Sequence, residues 1–224
     1  SSSLKKVYNA ESVVLVPGGG TYGMEAVARQ FANDKDCLVI RNGWFSYRWS
    51  QILEIGKIPS KLTVMKAARK IPGSQAPFSP VDIDEVVHQI KSEKPAIVFA
   101  PHVETSAGII LPDEYIKAVS EAVHSVGGMF VLDCIASGAI WVDMQKCGVD
   151  ILVSAPQKGW SASPAFGMVM LSSNASERIH ETQSTSFSCD LLKWLQMMQA
   201  YENGGHAYHA TMPTDAIKHF RDTI

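Results

Sequence analysis

Lys158 stands in the stretch Ser154-Ala155-Pro156-Gln157-Lys158-Gly159-Trp160, directly after the short apolar run Ile151-Leu152-Val153. A second run, Met129-Phe130-Val131-Leu132, ends on a single acid, Asp133. A deprotonated lysine amine condenses with an aldehyde, and a carboxylate can hold a pyridine nitrogen protonated so that the ring accepts electrons. Those two functions at strand ends are what a pyridoxal phosphate site needs, and open α/β sheets collect ligands where strands end at their carboxyl side. Taken singly, each residue has a plainer reading: Asp133 as a turn or cap acid, Lys158 as a solvated surface charge. Two considerations favour the pair. An acid closing an apolar strand is costly unless something pairs with it, and one strand and its connection separate the two residues, which suits a shared pocket.

Three other segments follow apolar runs in the same way. Pro17-Gly18-Gly19-Gly20-Thr21-Tyr22-Gly23 precedes a helical pattern, and its glycines would let free N–H groups at a helix start approach an anion, with the Thr21 hydroxyl as a further donor. It is neither GxGxxG nor followed by GK[ST], so dinucleotide and P-loop readings fit poorly. Alone, it suits a tight turn equally well. In Asn42-Gly43-Trp44-Phe45-Ser46-Tyr47-Arg48-Trp49 an aromatic could lie on a planar cofactor, or simply be the apolar face of a helix start. His102-Val103-Glu104-Thr105-Ser106-Ala107-Gly108 is rich in small polar groups, and a lone histidine there reads first as structural.

The elements that must position these residues alternate regularly. Apolar runs at Val13–Val16, Cys37–Arg41, Leu62–Met65, Ala96–Ala100, Met129–Leu132, Ile151–Val153 and Gly167–Leu171 read as strands. Helical patterns fall at Tyr22–Asn33, Trp44–Gly56, Ile83–Lys91, Asp113–Val126, Ala175–His180, Asp190–Tyr201 and Thr214–Thr223. This order predicts a mostly parallel seven-stranded α/β sheet with helices on both faces, its strands buried on both sides. Arg69–Pro80, with three prolines, reads as an irregular surface loop. Of the 224 residues, 46% are apolar and 19% charged, and the net charge is −2, which favours neither nucleic acid nor an anionic membrane as partner. No apolar stretch approaches a membrane span, and the opening residues lack the apolar core of a signal peptide. Cys37, Cys134, Cys147 and Cys189 show no CxxC or other metal spacing, so free thiols in a reducing cytoplasm, and no metal, are expected.

The glycine loop, the aromatic after Asn-Gly, Glu-Thr-Ser-Ala-Gly, Asp-Cys-Ile-Ala-Ser, Ser-Ala-Pro-Gln-Lys-Gly and the late Tyr208-His209-Ala210-Thr211-Met212-Pro213 occur in an order that resembles class V aminotransferases. These are pyridoxal phosphate enzymes of fold type I, and the nearest branch looks like the alanine–glyoxylate or serine–pyruvate aminotransferases. The resemblance implies Lys158 as the Schiff-base lysine and Asp133 as the partner of the ring nitrogen. It places Gly20 and Thr21 in the phosphate loop and Phe45 where the family often has a stacking tryptophan. Thr105 and Ser137 would lie beside the cofactor, with Gln157 as a further cofactor contact. Tyr208 and Thr211 would reach the cofactor phosphate of a neighbouring subunit, implying a homodimer with shared sites. Family members are longer, so residues 1–224 correspond to the large cofactor-binding domain, three-layered αβα, without the N-terminal arm or the C-terminal small domain. The arginine that grips the substrate carboxylate belongs to that small domain, and neither Arg41 nor Arg48 is assigned to it.

The implied reaction moves an amino group from a small amino acid, alanine or serine, to a 2-oxo acid, glyoxylate or pyruvate, with ping-pong kinetics. Cysteine desulfurases are disfavoured because they carry histidine where Gln157 stands, and Cys189 has no context as a mobile nucleophile. Phosphoserine aminotransferase remains open, as does a scaffold that keeps the fold without the chemistry.

Overall fold

Seven apolar runs pair into one sheet in the computed structural model, which describes residues 1–224. They are β1 (Ser12–Pro17), β2 (Asp36–Arg41), β3 (Lys61–Lys66), β4 (Ile97–Pro101), β5 (Met129–Asp133), β6 (Ile151–Ser154) and β7 (Phe166–Leu171). Their spatial order is β1-β7-β6-β5-β4-β2-β3. Only β7 runs antiparallel, between β1 and β6; every other pairing is parallel. The carboxyl ends of β1, β2, β4, β5 and β6 therefore open on one edge of the sheet.

Alternation along the strands sends neighbouring side chains to opposite faces. On one face Val39, Phe99, Val131 and Val153 pack with Met24, Val27 and Phe31 of α2 (Gly20–Phe31), Trp49 and Leu53 of α3 (Trp44–Ile55) and a late helix carrying Trp194. On the other face Leu38, Val98, Phe130 and Leu152 pack with Val86 and Ile90 of one helix and Ile116, Val119 and Val123 of the next. These two helices span Ile83–Glu93 and Asp113–Ser125, and the one carrying Trp194 spans Leu191–Glu202. Thirty buried residues form one core and 28 the other, so both faces are covered, and each fully buried large side chain contributes on the order of 1.5–3 kcal/mol. The expected mostly parallel, helix-covered sheet is what forms.

The helix expected to start at Tyr22 begins at Gly20, which brings Gly20 and Thr21 into its first turn. Tertiary packing overrides glycine's poor helix propensity there: a Cβ on Gly167 would collide with the backbone of Gly19 and Gly23, so α2 lies directly on β7. The first helix, α1 (Ser2–Tyr8), buried through Leu4 and Tyr8, was not expected, nor was the short Met144–Cys147 helix, capped by the Asp143 side chain. The Arg69–Pro80 loop is pinched by a two-residue ladder, Ala68–Arg69 against Phe78–Ser79. All four cysteines are buried and unpaired. No helix is long and apolar enough to cross a membrane, and no cluster of His, Cys, Asp or Glu is placed to hold a metal ion.

At the sheet's opposite edge, buried Asp150 accepts hydrogen bonds from His124 Nε2 (2.7 Å), Phe130 N (2.8 Å) and Asn174 Nδ2 (2.8 Å). Asp150→Ala strands these donors, and chemical denaturation is expected to show a loss of about 3 kcal/mol. The Asp150 hydrogen bond holds His124 above its ordinary value of 6.5. That contribution is therefore complete below pH 6.5 and fades as pH rises through the raised value. Asp150→Ala should lose this pH dependence along with the stability.

Candidate active site

Five connections at the carboxyl edge converge on a cavity of about 230 Å³. The loop after β1 and the start of α2 bring Gly20 and Thr21; the start of α3 brings Phe45 and Arg48. Val103 and Thr105 follow β4, Asp133 closes β5, and Gln157 and Lys158 follow β6. Seven of the ten residues singled out in the sequence thus line one space, although five separate connections supply them. A larger groove of about 840 Å³ opens at the other ends of the strands, beside Asn33–Lys35 and Gln183–Thr185, and holds none of these motifs.

Glycine makes two of the approaches possible. Gly18, at φ +120°, turns the chain after β1 into the helix start with the Tyr22 ring lying over it. Gly159 sits so close to the Gly138 backbone that any Cβ would collide with it. That contact presses the loop carrying Lys158 against the loop that follows Asp133. Hydrogen bonds from Ser161 N to Lys158 O (3.1 Å) and from Ala162 N to Pro156 O (2.9 Å) close the turn. Lys158 is exposed by area, and its ammonium has no ion-pair partner in the fold.

Asp133 is buried, and its carboxylate accepts a single hydrogen bond, from Ile135 N at 2.9 Å. Burial pushes its pKa up from 3.8 to about 6, assisted by the charge of Glu104 and opposed by the Ile135 hydrogen bond and the Arg48 guanidinium. A buried acid with so little compensation is suited to a cation brought by a ligand. Gln157 has a buried side-chain oxygen with no partner, another polar group awaiting one. A protonated pyridine ring would satisfy Asp133, and the helix start at Gly20 and Thr21 offers N–H groups to a phosphate. These residues fit pyridoxal phosphate.

Three expected residues lie elsewhere in this chain. Ser137 does not line the cavity; its hydroxyl is bonded to His102 Nδ1 at 2.7 Å, behind the end of β5. Burial lowers the pKa of His102 and keeps it neutral, which agrees with its structural reading. Tyr208 and Thr211 occupy an exposed segment before the last helix, with Tyr208 80% exposed. Arg48 was missed. Its Nη1 donates to Thr21 Oγ1 at 3.1 Å and its guanidinium lies 5.7 Å from the Phe45 ring centre. The i, i+3 spacing from Phe45 on a helix was the available signal.

Lys158 and the buried Asp133 line one cavity at the carboxyl edge of a mostly parallel sheet, the two groups that a pyridoxal phosphate site requires. The family model for class V aminotransferases ("Aminotransferase class-V") matches residues 2–224, and the chain belongs to that family. It is 30% identical over 217 residues to the 2-aminoethylphosphonate–pyruvate transaminase of Syntrophobacter fumaroxidans, covering 94% of this chain and 53% of that protein. It is 25% identical over 215 residues to the alanine–glyoxylate aminotransferase of Rattus norvegicus, covering 94% and 49%. The chain thus spans about half the length of the curated relatives it matches. Among solved structures, an alanine–glyoxylate aminotransferase from Nostoc sp. superposes with a TM-score of 0.80 at 24% identity, over 99% of this chain and 56% of that one. A pyridoxamine–pyruvate aminotransferase from Mesorhizobium loti gives 0.79 at 19% identity, over 99% and 54%. Both share the fold.

Without cofactor, the raised pKa of Asp133 removes stability as pH climbs from 3.8 toward 6. Asp133→Asn should therefore stabilise the cofactor-free protein at pH 7 by on the order of 2–3 kcal/mol. The gain should vanish near pH 4 and be accompanied by loss of cofactor binding, both read by thermal melts with and without pyridoxal phosphate.

Proposed function

We propose that the full-length protein is a pyridoxal phosphate-dependent aminotransferase, moving an amino group from a small donor to a small 2-oxo acid. One observation carries this reading: the only lysine in the cavity and the buried acid Asp133 share it, in a chain of the class V family. Bound there, the cofactor supplies an aldehyde that takes up the amino group and a ring that draws off electrons. In this reading Lys158 anchors the group and, once released, carries the proton lost from the substrate carbon as base and then acid. Asp133 holds the ring nitrogen protonated, Phe45 covers the ring, and Gly20, Thr21 and Gln157 hold the polar periphery, with Thr105 on the opposing loop.

Alanine or serine as donor and glyoxylate or pyruvate as acceptor fit the alanine–glyoxylate relatives. A second donor, 2-aminoethylphosphonate with pyruvate, is favoured by the names of several relatives at 26–30% identity. The exposed positions of Tyr208 and Thr211 support a homodimer in which each subunit contributes them to its partner's site. Four unpaired cysteines support a reducing cytoplasm.

Full-length protein reduced with borohydride should retain cofactor on Lys158, found by peptide mass. Lys158→Ala should lower turnover by about 10²–10⁴-fold. A donor screen with alanine, serine, phosphoserine and 2-aminoethylphosphonate then identifies the substrate by the oxo product formed. Unchanged turnover in Lys158→Ala, or a wild-type protein that takes up no cofactor, overturns the reading in favour of a scaffold.

A further inference from the structure

We propose that Glu104 is a positioning residue that locks the helix start carrying Phe45 to the hairpin carrying Thr105, so that two walls of the cofactor cavity are held as one rigid unit. It rests on the pyridoxal phosphate reading above and adds a residue to it. Glu104 is fully buried, on a two-residue strand (Val103–Glu104) that pairs with Ile109–Ile110 just beyond β4. A buried carboxylate is costly, and this one is compensated by three donors from the start of α3 together with Ser106 of its own hairpin.

The first N–H groups of a helix have no partners inside it. In α3 all three that remain open are satisfied from the hairpin. Trp44 N donates to Ser106 Oγ (2.8 Å), Phe45 N to Glu104 Oε1 (3.1 Å) and Ser46 N to Glu104 Oε2 (2.9 Å). The hydroxyls of Ser46 and Ser106 each donate to the same carboxylate at 2.6 Å. Ser46 Oγ in turn accepts from Asn42 N (2.8 Å) and Gly43 N (3.0 Å). Gly43 is required by this packing, because a Cβ there would strike the Glu104 side chain and the Ser106 hydroxyl. Burial pushes the Glu104 pKa up, but the hydrogen bonds from Ser106, Ser46 and the Phe45 backbone outweigh it and hold the carboxyl below its usual range. The anion also faces the positive end of the helix.

The consequence for the site follows from sequence adjacency. Phe45 receives its backbone position from Oε1 of Glu104, and Thr105 is the next residue along the hairpin. Both line the cavity, whereas Glu104 itself does not. Replacing the carboxylate by an amide turns one acceptor into a donor facing donors, which frees the start of α3 while leaving shape and size nearly unchanged.

The test is pyridoxal phosphate affinity of the full-length protein, titrated by absorbance, for wild type, Glu104→Gln, Phe45→Ala and the double variant. Glu104→Gln should bind the cofactor about tenfold more weakly, the effect of losing one charge-assisted hydrogen bond's worth of preorganisation. Since it acts through Phe45, the double variant should be no more than about twofold weaker than the worse single one. An electrostatic role predicts the opposite sign: removing the Glu104 charge would ease ionisation of Asp133 and tighten binding near pH 6. Tighter or unchanged binding in Glu104→Gln, or strictly additive losses in the double variant, overturns the proposal. Should Glu104→Gln fail to fold, Ser106→Ala removes two contacts of the same network and should weaken binding in the same direction. A wild-type protein that binds no cofactor refutes the underlying reading instead.

Discussion

A carboxylate held out of water with one hydrogen bond is the constraint around which this chain is organised. Asp133 closes a strand buried on both faces, in register with Pro101 of β4 and Val153 of β6. No cation within the fold neutralises it directly; Arg48 acts on it only through space, and Glu104 acts against it. Left alone the acid rises toward neutrality, and a cationic ring nitrogen restores its charge. Under the proposed function, binding energy and chemical function would reside in the same group: the interaction that would hold a cofactor is the one that would make its ring an electron sink.

The remainder of the site is a problem of delivery. The sheet presents six carboxyl ends on one edge, and five of the connections that leave it bring two or three residues each to the cavity. Short loops are mobile unless something fixes them, and each of these is fixed by backbone contact or by a buried polar group. Gly159 against Gly138 ties the lysine loop to the acid loop, and Gly167 against Gly23 seats α2 on β7. Glu104 and Ser106 cap α3 from outside it. Glycine serves here by permitting contact between backbones, and the buried glutamate by supplying acceptors where a helix start has only donors.

Family membership fits this division of labour. The relatives differ in the donor named for them, 2-aminoethylphosphonate in one and alanine in another, while the chain aligns with both across nearly all of its length. The residues that would hold a cofactor lie within that shared span. The chain covers about half of each relative, so donor recognition is a question for the full-length protein.

The alternation of apolar runs and amphipathic stretches determined the strands, the main helices and the mostly parallel topology, because burial on both faces leaves a continuous apolar signature. Lys158 and Asp133 suggested a chemistry from residues alone, whereas Phe45 and Thr21 joined them only through the family resemblance; the fold brings all four to one cavity. Period and composition did not reveal the helix over Ser2–Tyr8, whose seven residues are stabilised by what Leu4 and Tyr8 pack against. Nor could they reveal that Arg48 joins the cavity while Ser137 turns to His102, or that Glu104 caps a helix 58 residues away. Such partnerships depend on which loops the sheet brings side by side. That adjacency comes from strand order, which separates β2 from β5 in sequence and leaves only β4 between them in space.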